Sequence, residues 1–102
     1  MKVKAKIKNN ILKVKALIKH EMMTYDQAQK KLGDANKANF VTHIVASINN
    51  TVVYDASTSQ FLSTNPIIKF KVHAASFSVG DKLSLTWRDR SGKEKRKKVT
   101  IK

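Results

Sequence analysis

Three histidines, His20, His43 and His73, are the side chains in this chain best suited to metal ligation or proton transfer. They stand far apart, and none has a partner at a zinc-type spacing. A surface or packing role suits each of them better. The seven carboxylates are scattered, with no pair spaced for acid–base work. Three glycines do not make a phosphate-cradling loop. There is no cysteine, and so no disulfide, no thiolate metal site and no cysteine nucleophile. That absence is compatible with either redox compartment. A serine triad assembles in space and leaves no mark at fixed spacing, and nothing in the residue order points to one. The expectation is a non-catalytic chain with no metal and no cofactor.

The lysines carry the other conspicuous chemistry. With 21 Lys and Arg against seven Asp and Glu, the formal net charge is +14 in 102 residues. Such a charge attracts polyanions, acidic partners or small anions and says nothing about fold. Lys2, Lys4, Lys6 and Lys8 alternate along one run, and Lys13, Lys15 and Lys19 along the next. They read either as a solvated face guarding an edge strand or as a basic plateau for an anionic partner. A nucleic-acid reader would add aromatic side chains for stacking among its basic residues. Phe40, Phe70 and Trp87 instead fall on apolar faces, so nucleic-acid binding ranks second as a function.

The elements that position these residues are strands. A chain of this length is one domain in size, and 41% hydrophobic residues supply a core. No apolar run approaches the roughly 18–20 residues of a membrane span. Most of the chain alternates with period two. Val3, Ala5 and Ile7 share a face, as do Leu12, Val14, Ala16 and Ile18. Asn9-Asn10 and Asn49-Asn50 suit turns, because Asn tolerates left-handed backbone. The first two runs make a hairpin or go to separate sheets. Residues 20–38 break the pattern: Tyr25–Gly33 suits a short helix stopped at Gly33, but its apolar stripe is thin, and the preferred reading is a long mobile connection with one helical turn. Asn39–Ile48 is a strand with Phe40, Ile44, Ala46 and Ile48 on one face and Val41, His43 and Val45 on the other. Thr51–Asp55 pairs back, Ala56–Asn65 is a loop, and Pro66 opens a strand with Ile68, Phe70 and Val72 inward. Leu83, Leu85 and Trp87 line another strand, and Val99 and Ile101 close the last. About seven short strands with little helix predict an all-β, antiparallel two-sheet sandwich over residues 1–102.

Apolar residues on wet faces suggest a partner. A free sandwich strand keeps one polar face, yet Val41 and Val45 lie opposite Phe40 and Ile44, and Ile11 and Leu17 sit among lysines. A loop of the chain or a stable protein partner would cover them. The candidate partner-facing residues are therefore Ile11, Leu17, Val41, His43 and Val45. Met22, Met23 and Tyr25 join them as soft apolar side chains on the connection. The strand assignments rest on parity, which a one-residue slip reverses.

Several segments resemble the SoxZ family. Lys15-Ala16-Leu17-Ile18-Lys19-His20, then Met22, is similar to that family's valine-lysine-alanine run followed by His-Pro-Met. Asn39-Phe40-Val41 resembles the opening of its next strand. Ser63-Thr64-Asn65-Pro66, with Phe70 beyond, resembles its serine-x-Asn-Pro segment. Val79-Gly80-Asp81 and Trp87-Arg88-Asp89-Arg90-Ser91-Gly92 resemble its Gly-Asp turn and its Trp-x-Asp-x-x-Gly hairpin. Order and spacing agree over nearly the whole chain. Glu21 departs from the family's proline, and Met23-Thr24-Tyr25 from its Glu-Thr-Gly.

The resemblance implies an immunoglobulin-like β-sandwich that pairs with SoxY, the subunit whose C-terminal cysteine carries sulfur intermediates in thiosulfate oxidation. It implies a non-catalytic subunit with transient docking to other sulfur-oxidation enzymes. It also implies a periplasmic location. The basic N-terminus lacks the apolar stretch of a signal peptide, and export bound to a signal-bearing SoxY is the expectation. Turn geometry alone accounts for Asn65, Pro66, Gly80, Asp81 and Gly92.

Overall fold

The computed structural model describes residues 1–59, 62, 64–74 and 76–102. Part of the 56–65 loop and Ser63 of the Ser-x-Asn-Pro match lie outside the described residues. The seven strands are β1 (Lys2–Lys8), β2 (Ile11–Leu17), β3 (Val41–Ile48), β4 (Thr51–Ser57), β5 (Ile67–His73), β6 (Lys82–Asp89) and β7 (Glu94–Thr100). They form two antiparallel sheets, in the orders β1-β2-β5 and β4-β3-β6-β7. The protein is an all-β, immunoglobulin-like sandwich.

Period-two alternation places the core. Leu12, Val14 and Ala16 of β2 are buried and face Ile44, Ala46 and Ile48 of β3 and Leu83, Leu85 and Trp87 of β6. Burying each large aliphatic side chain contributes about 1.5–3 kcal/mol. At one side of the sandwich, Tyr54 of β4 and Phe70 of β5 stack with centroids 4.3 Å apart. At the other, the Ile7 N–H donates to the Lys102 carbonyl at 2.8 Å, and the Lys102 N–H donates to the Ala5 carbonyl at 3.0 Å.

The first two runs are a hairpin within one sheet, closed by Asn9-Asn10. Asn9 and Asn10 have φ of 54° and 61°, and Asn49 and Asn50, between β3 and β4, have 50° and 66°. Two consecutive left-handed residues make the type I′ turn that matches strand twist.

Two expectations are corrected. The 20–38 connection is ordered around an eight-residue helix, α1 (Tyr25–Leu32), followed by a 3-10 turn at Ala35–Lys37. Only Ala28 of α1 is buried, so packing alone would not hold it. Its ends do: Thr24 and Gln27 form a reciprocal capping box, and Gly33 takes φ 70° as the C-cap. The second correction is Val41. It does not share a face with His43, because the register against β6 shifts between Val41 and His43. That bulge re-aims Val41 into the core, where it is fully buried.

Candidate functional site

Four of the segments that carried the family resemblance meet at one end of the sandwich, while the Val79-Gly80-Asp81 turn lies at the other, bonded to Ile101 ahead of β6. Beyond β2 the chain continues beside the residues leading into β5. The Ile18 N–H donates to the Pro66 carbonyl. The His20 N–H donates to Asn65 Oδ1 at 3.0 Å, and the Asn65 N–H returns to the His20 carbonyl at 2.9 Å. Asn65 sits at φ 51°, a conformation its short polar side chain tolerates.

This clamp delivers the His20 ring to the end of β6, where only 9% of the residue is exposed. The Met22 N–H donates to His20 Nδ1 at 2.9 Å. Nδ1 is therefore the acceptor, and the ring proton sits on Nε2, 3.0 Å from Asp89 Oδ2. The ring also meets Trp87 edge-on, centroids 5.3 Å apart. Trp87 Nε1 is the one buried side-chain polar atom without a hydrogen bond among the described residues.

Asp89 is 2% exposed. Its Oδ2 accepts from His20 and from Asn39 Nδ2 at 3.1 Å, and its Oδ1 accepts from Ser91 Oγ at 2.6 Å and the Lys93 N–H at 3.0 Å. Burial pushes this carboxyl up. Hydrogen bonds from Ser91, His20, Asn39 and the Lys93 backbone outweigh burial and hold it at about 2, against an ordinary 3.8. Asn39 ties the network to the helical segment, exchanging backbone hydrogen bonds with Met23 and accepting from the Ser91 N–H. Arg90 donates to the Asn36 and Ala38 carbonyls, both at 2.8 Å, and covers the Tyr25 ring. Every polar atom of the His20–Asp89 pair is thus occupied, and the pair works as a clasp between β2, β3, α1 and the β6–β7 turn.

The candidate partner-facing residues fall in three places. His43 and Val45 lie half-buried on the outer face of β3. Ile11 and Leu17 lie half-buried at the two ends of β2, on the outer face of the other sheet. These faces are on opposite sides of the sandwich, so one flat contact cannot cover both. Tyr25 opens α1, 40% exposed, against Phe40 and Arg90. Met23 is half-buried in its bridge with Asn39. Met22, expected on a mobile loop, is interior. It is 2% exposed, its backbone is left-handed at φ 51°, and its sulfur accepts the Val41 N–H. The sequence reading missed Asp89, Asn39 and Arg90. The Trp-x-Asp-x-x-Gly match marked Asp89, but nothing in the linear spacing connects it to His20.

The outer face of the four-stranded sheet is weakly charged at its centre. One rung runs Asp55–Val45–Thr86–Arg96 and the next Val52–Ser47–Ser84–Lys98. Charges lie toward the edges, and several are satisfied. His43 Nε2 is 2.6 Å from Asp55 Oδ1, and Arg88 makes a 2.7 Å ion pair with Glu94. Among the described residues, no group of three His, Cys, Asp or Glu side chains could hold a metal, and no helix is long and apolar enough to cross a membrane.

Fold and clasp define a class: a small immunoglobulin-like sandwich closed at one end by a buried His–Asp clasp. Within that class, the family described as sulphur oxidation protein SoxZ matches residues 1–100. The chain belongs to the SoxZ family. No curated protein matches it.

Proposed function

We infer that this chain is the non-catalytic subunit of a SoxYZ-type carrier, binding a SoxY-type subunit whose C-terminal cysteine holds the sulfur intermediates of thiosulfate oxidation. The observation that carries this reading is the outer face of the four-stranded sheet. In a chain of net charge +14, that face keeps uncharged Val45, Ser47, Ser84 and Thr86 at its centre, with Val52 exposed beside them. Depletion of charge at the centre of a patch, with charges around its rim, is the composition of a stable protein interface. The saturated His20–Asp89 clasp supports a role without chemistry, since neither side chain has a free hydrogen-bonding atom for a substrate. The complex works in the periplasm, and the chain is exported with its partner. Contacts with other sulfur-oxidation enzymes are transient.

The test is co-expression with a SoxY-type subunit, followed by affinity capture and sizing. A one-to-one complex that persists in about 1 M salt, where charge–charge attraction is screened, is the expected result. Val45→Lys places a charge at the centre of the face, opposite Asp55 rather than another cation, and weakens association by about tenfold or more, with a much smaller effect on the melting temperature. A wild-type chain that elutes as a monomer beside its candidate partner refutes the reading.

A further inference from the structure

We propose that the outer face of the three-stranded sheet is a second docking surface, built for an acidic protein segment whose carboxylates are flanked by apolar side chains. The face is opposite the proposed subunit interface and does not depend on it.

The register of the sheet carries the inference. Lys4, Lys15 and Lys69 stand directly opposite one another across β1, β2 and β5, and Lys6, Lys13 and Lys71 form the adjacent rung. At about 4.8 Å between strands and about 6.7 Å between alternate residues, six ammonium stems rise from a patch roughly 10 by 7 Å. All six lie within about one Debye length at 0.1 M salt, so their fields add. They line a shared shallow groove. No acidic residue faces outward on the three strands.

Stability does not explain this arrangement, because like charges directly opposite each other destabilise a sheet. Edge protection does not explain it either. Lysines guard unpaired edges, but Lys13 and Lys15 lie on β2, paired on both sides. Solubility is served by mixed charges. A multivalent anion offsets the repulsion.

The flanking rungs narrow the choice of anion. Beyond one lysine rung lie Lys2, Leu17 and Ile67, and Ile67 is 55% exposed. Beyond the other lie Lys8, Ile11 and His73. The face has a charged centre and turns apolar at the ends of β2 and at Ile67 of β5, while Lys2 and Lys8 keep the β1 edge basic. A phosphate backbone leaves Ile11, Leu17 and Ile67 without a matching contact, and Phe70, the one Phe, Tyr or Trp bordering the groove among the described residues, already has its ring stacked on Tyr54. An acidic protein segment with apolar flanks matches both parts.

The full chain is titrated with a synthetic peptide of six glutamates flanked by leucines, with its serine-flanked counterpart, and with a short DNA duplex. The leucine-flanked peptide should bind best, with affinity falling steeply as salt rises. K13E/K15E should weaken it by about tenfold or more, against about twofold or less for K95E/K97E, which removes equal charge from exposed β7. L17S/I67S should erase the advantage of the leucine flanks. K13Q/K15Q replaces the reversal if K13E/K15E melts early. Equal losses in the two charge-reversal pairs would reduce the effect to net charge and overturn the proposal. So would tighter binding of the duplex through Lys13 and Lys15, equal binding of the two peptides, or no binding at about 1 mM.

Discussion

Replacing Asp89 tests the clasp most directly. Its carboxyl drops from 3.8 to about 2 on folding, worth about 2 kcal/mol of stability at neutral pH at roughly 1.4 kcal/mol per unit. Because the folded state binds the proton more weakly than the unfolded chain, this contribution is complete above about pH 4 and is lost as the pH falls through about 2. Asp89→Asn keeps the shape but turns an NH2 group toward donors, and should lose about 2 kcal/mol at pH 7. Asp89→Ala strands His20 Nε2–H, Asn39 Nδ2, Ser91 Oγ and the Lys93 N–H together, and should cost about 4 kcal/mol. For a domain near 100 residues that lowers the melting temperature by about 20 °C. Urea melts of wild type and both variants, repeated from pH 7 down to about 2, give the measurement. The gap between wild type and Asp89→Asn should close as the acid limit is reached. An Asp89→Asn variant as stable as wild type at pH 7, or a gap unchanged at low pH, would refute the view of Asp89 as a stabilised buried anion.

Other outcomes follow from features away from Asp89. Thr24→Ala removes the capping box of α1 and should cost about 1 kcal/mol, seen as a small loss of helical circular dichroism and an earlier melt. Asn50→Val forces a β-branched residue to φ 66° and should destabilise by about 1–2 kcal/mol, whereas Asn50→Gly should be neutral or stabilising in the same melt. Arg90→Ala frees the Asn36 and Ala38 carbonyls and should raise amide exchange across the Ala35–Lys37 turn while leaving β6 protected.

Much of this fold is legible because a lysine on every second residue leaves no doubt about which face is wet. β1, β2 and β5 are assigned on that basis, β6 from Leu83, Leu85 and Trp87, and two turns from their paired asparagines. β3 defeats the same logic at its start. One bulged residue between Val41 and His43 turns a correct alternation into a wrong face for Val41, and parity cannot see an inserted residue. The helix was under-read for a different reason. Its apolar stripe is a single buried alanine, so periodicity was silent, while the Thr24-x-x-Gln27 box and Gly33 held the information. The clasp was the least legible part. His20 and Asp89 are 69 positions apart, and each, taken alone, reads as an ordinary surface or turn residue.

The clasp also bears on the order in which the chain folds. The β1–β2, β3–β4 and β6–β7 hairpins each pair residues close in sequence, so they close fast and at small entropic cost. The His20–Asn65 and Asn39–Asp89 hydrogen bonds span 45 and 50 positions and need the β2–β5 and β3–β6 pairings within each sheet, whereas His20–Asp89, spanning 69, aligns only once both sheets have docked. The His20–Asp89 contact is therefore expected to form late, after the hairpins. Loosening the clasp should hasten unfolding far more than it slows folding, so it sets chiefly how long the folded sandwich lasts, and only weakly how quickly it forms.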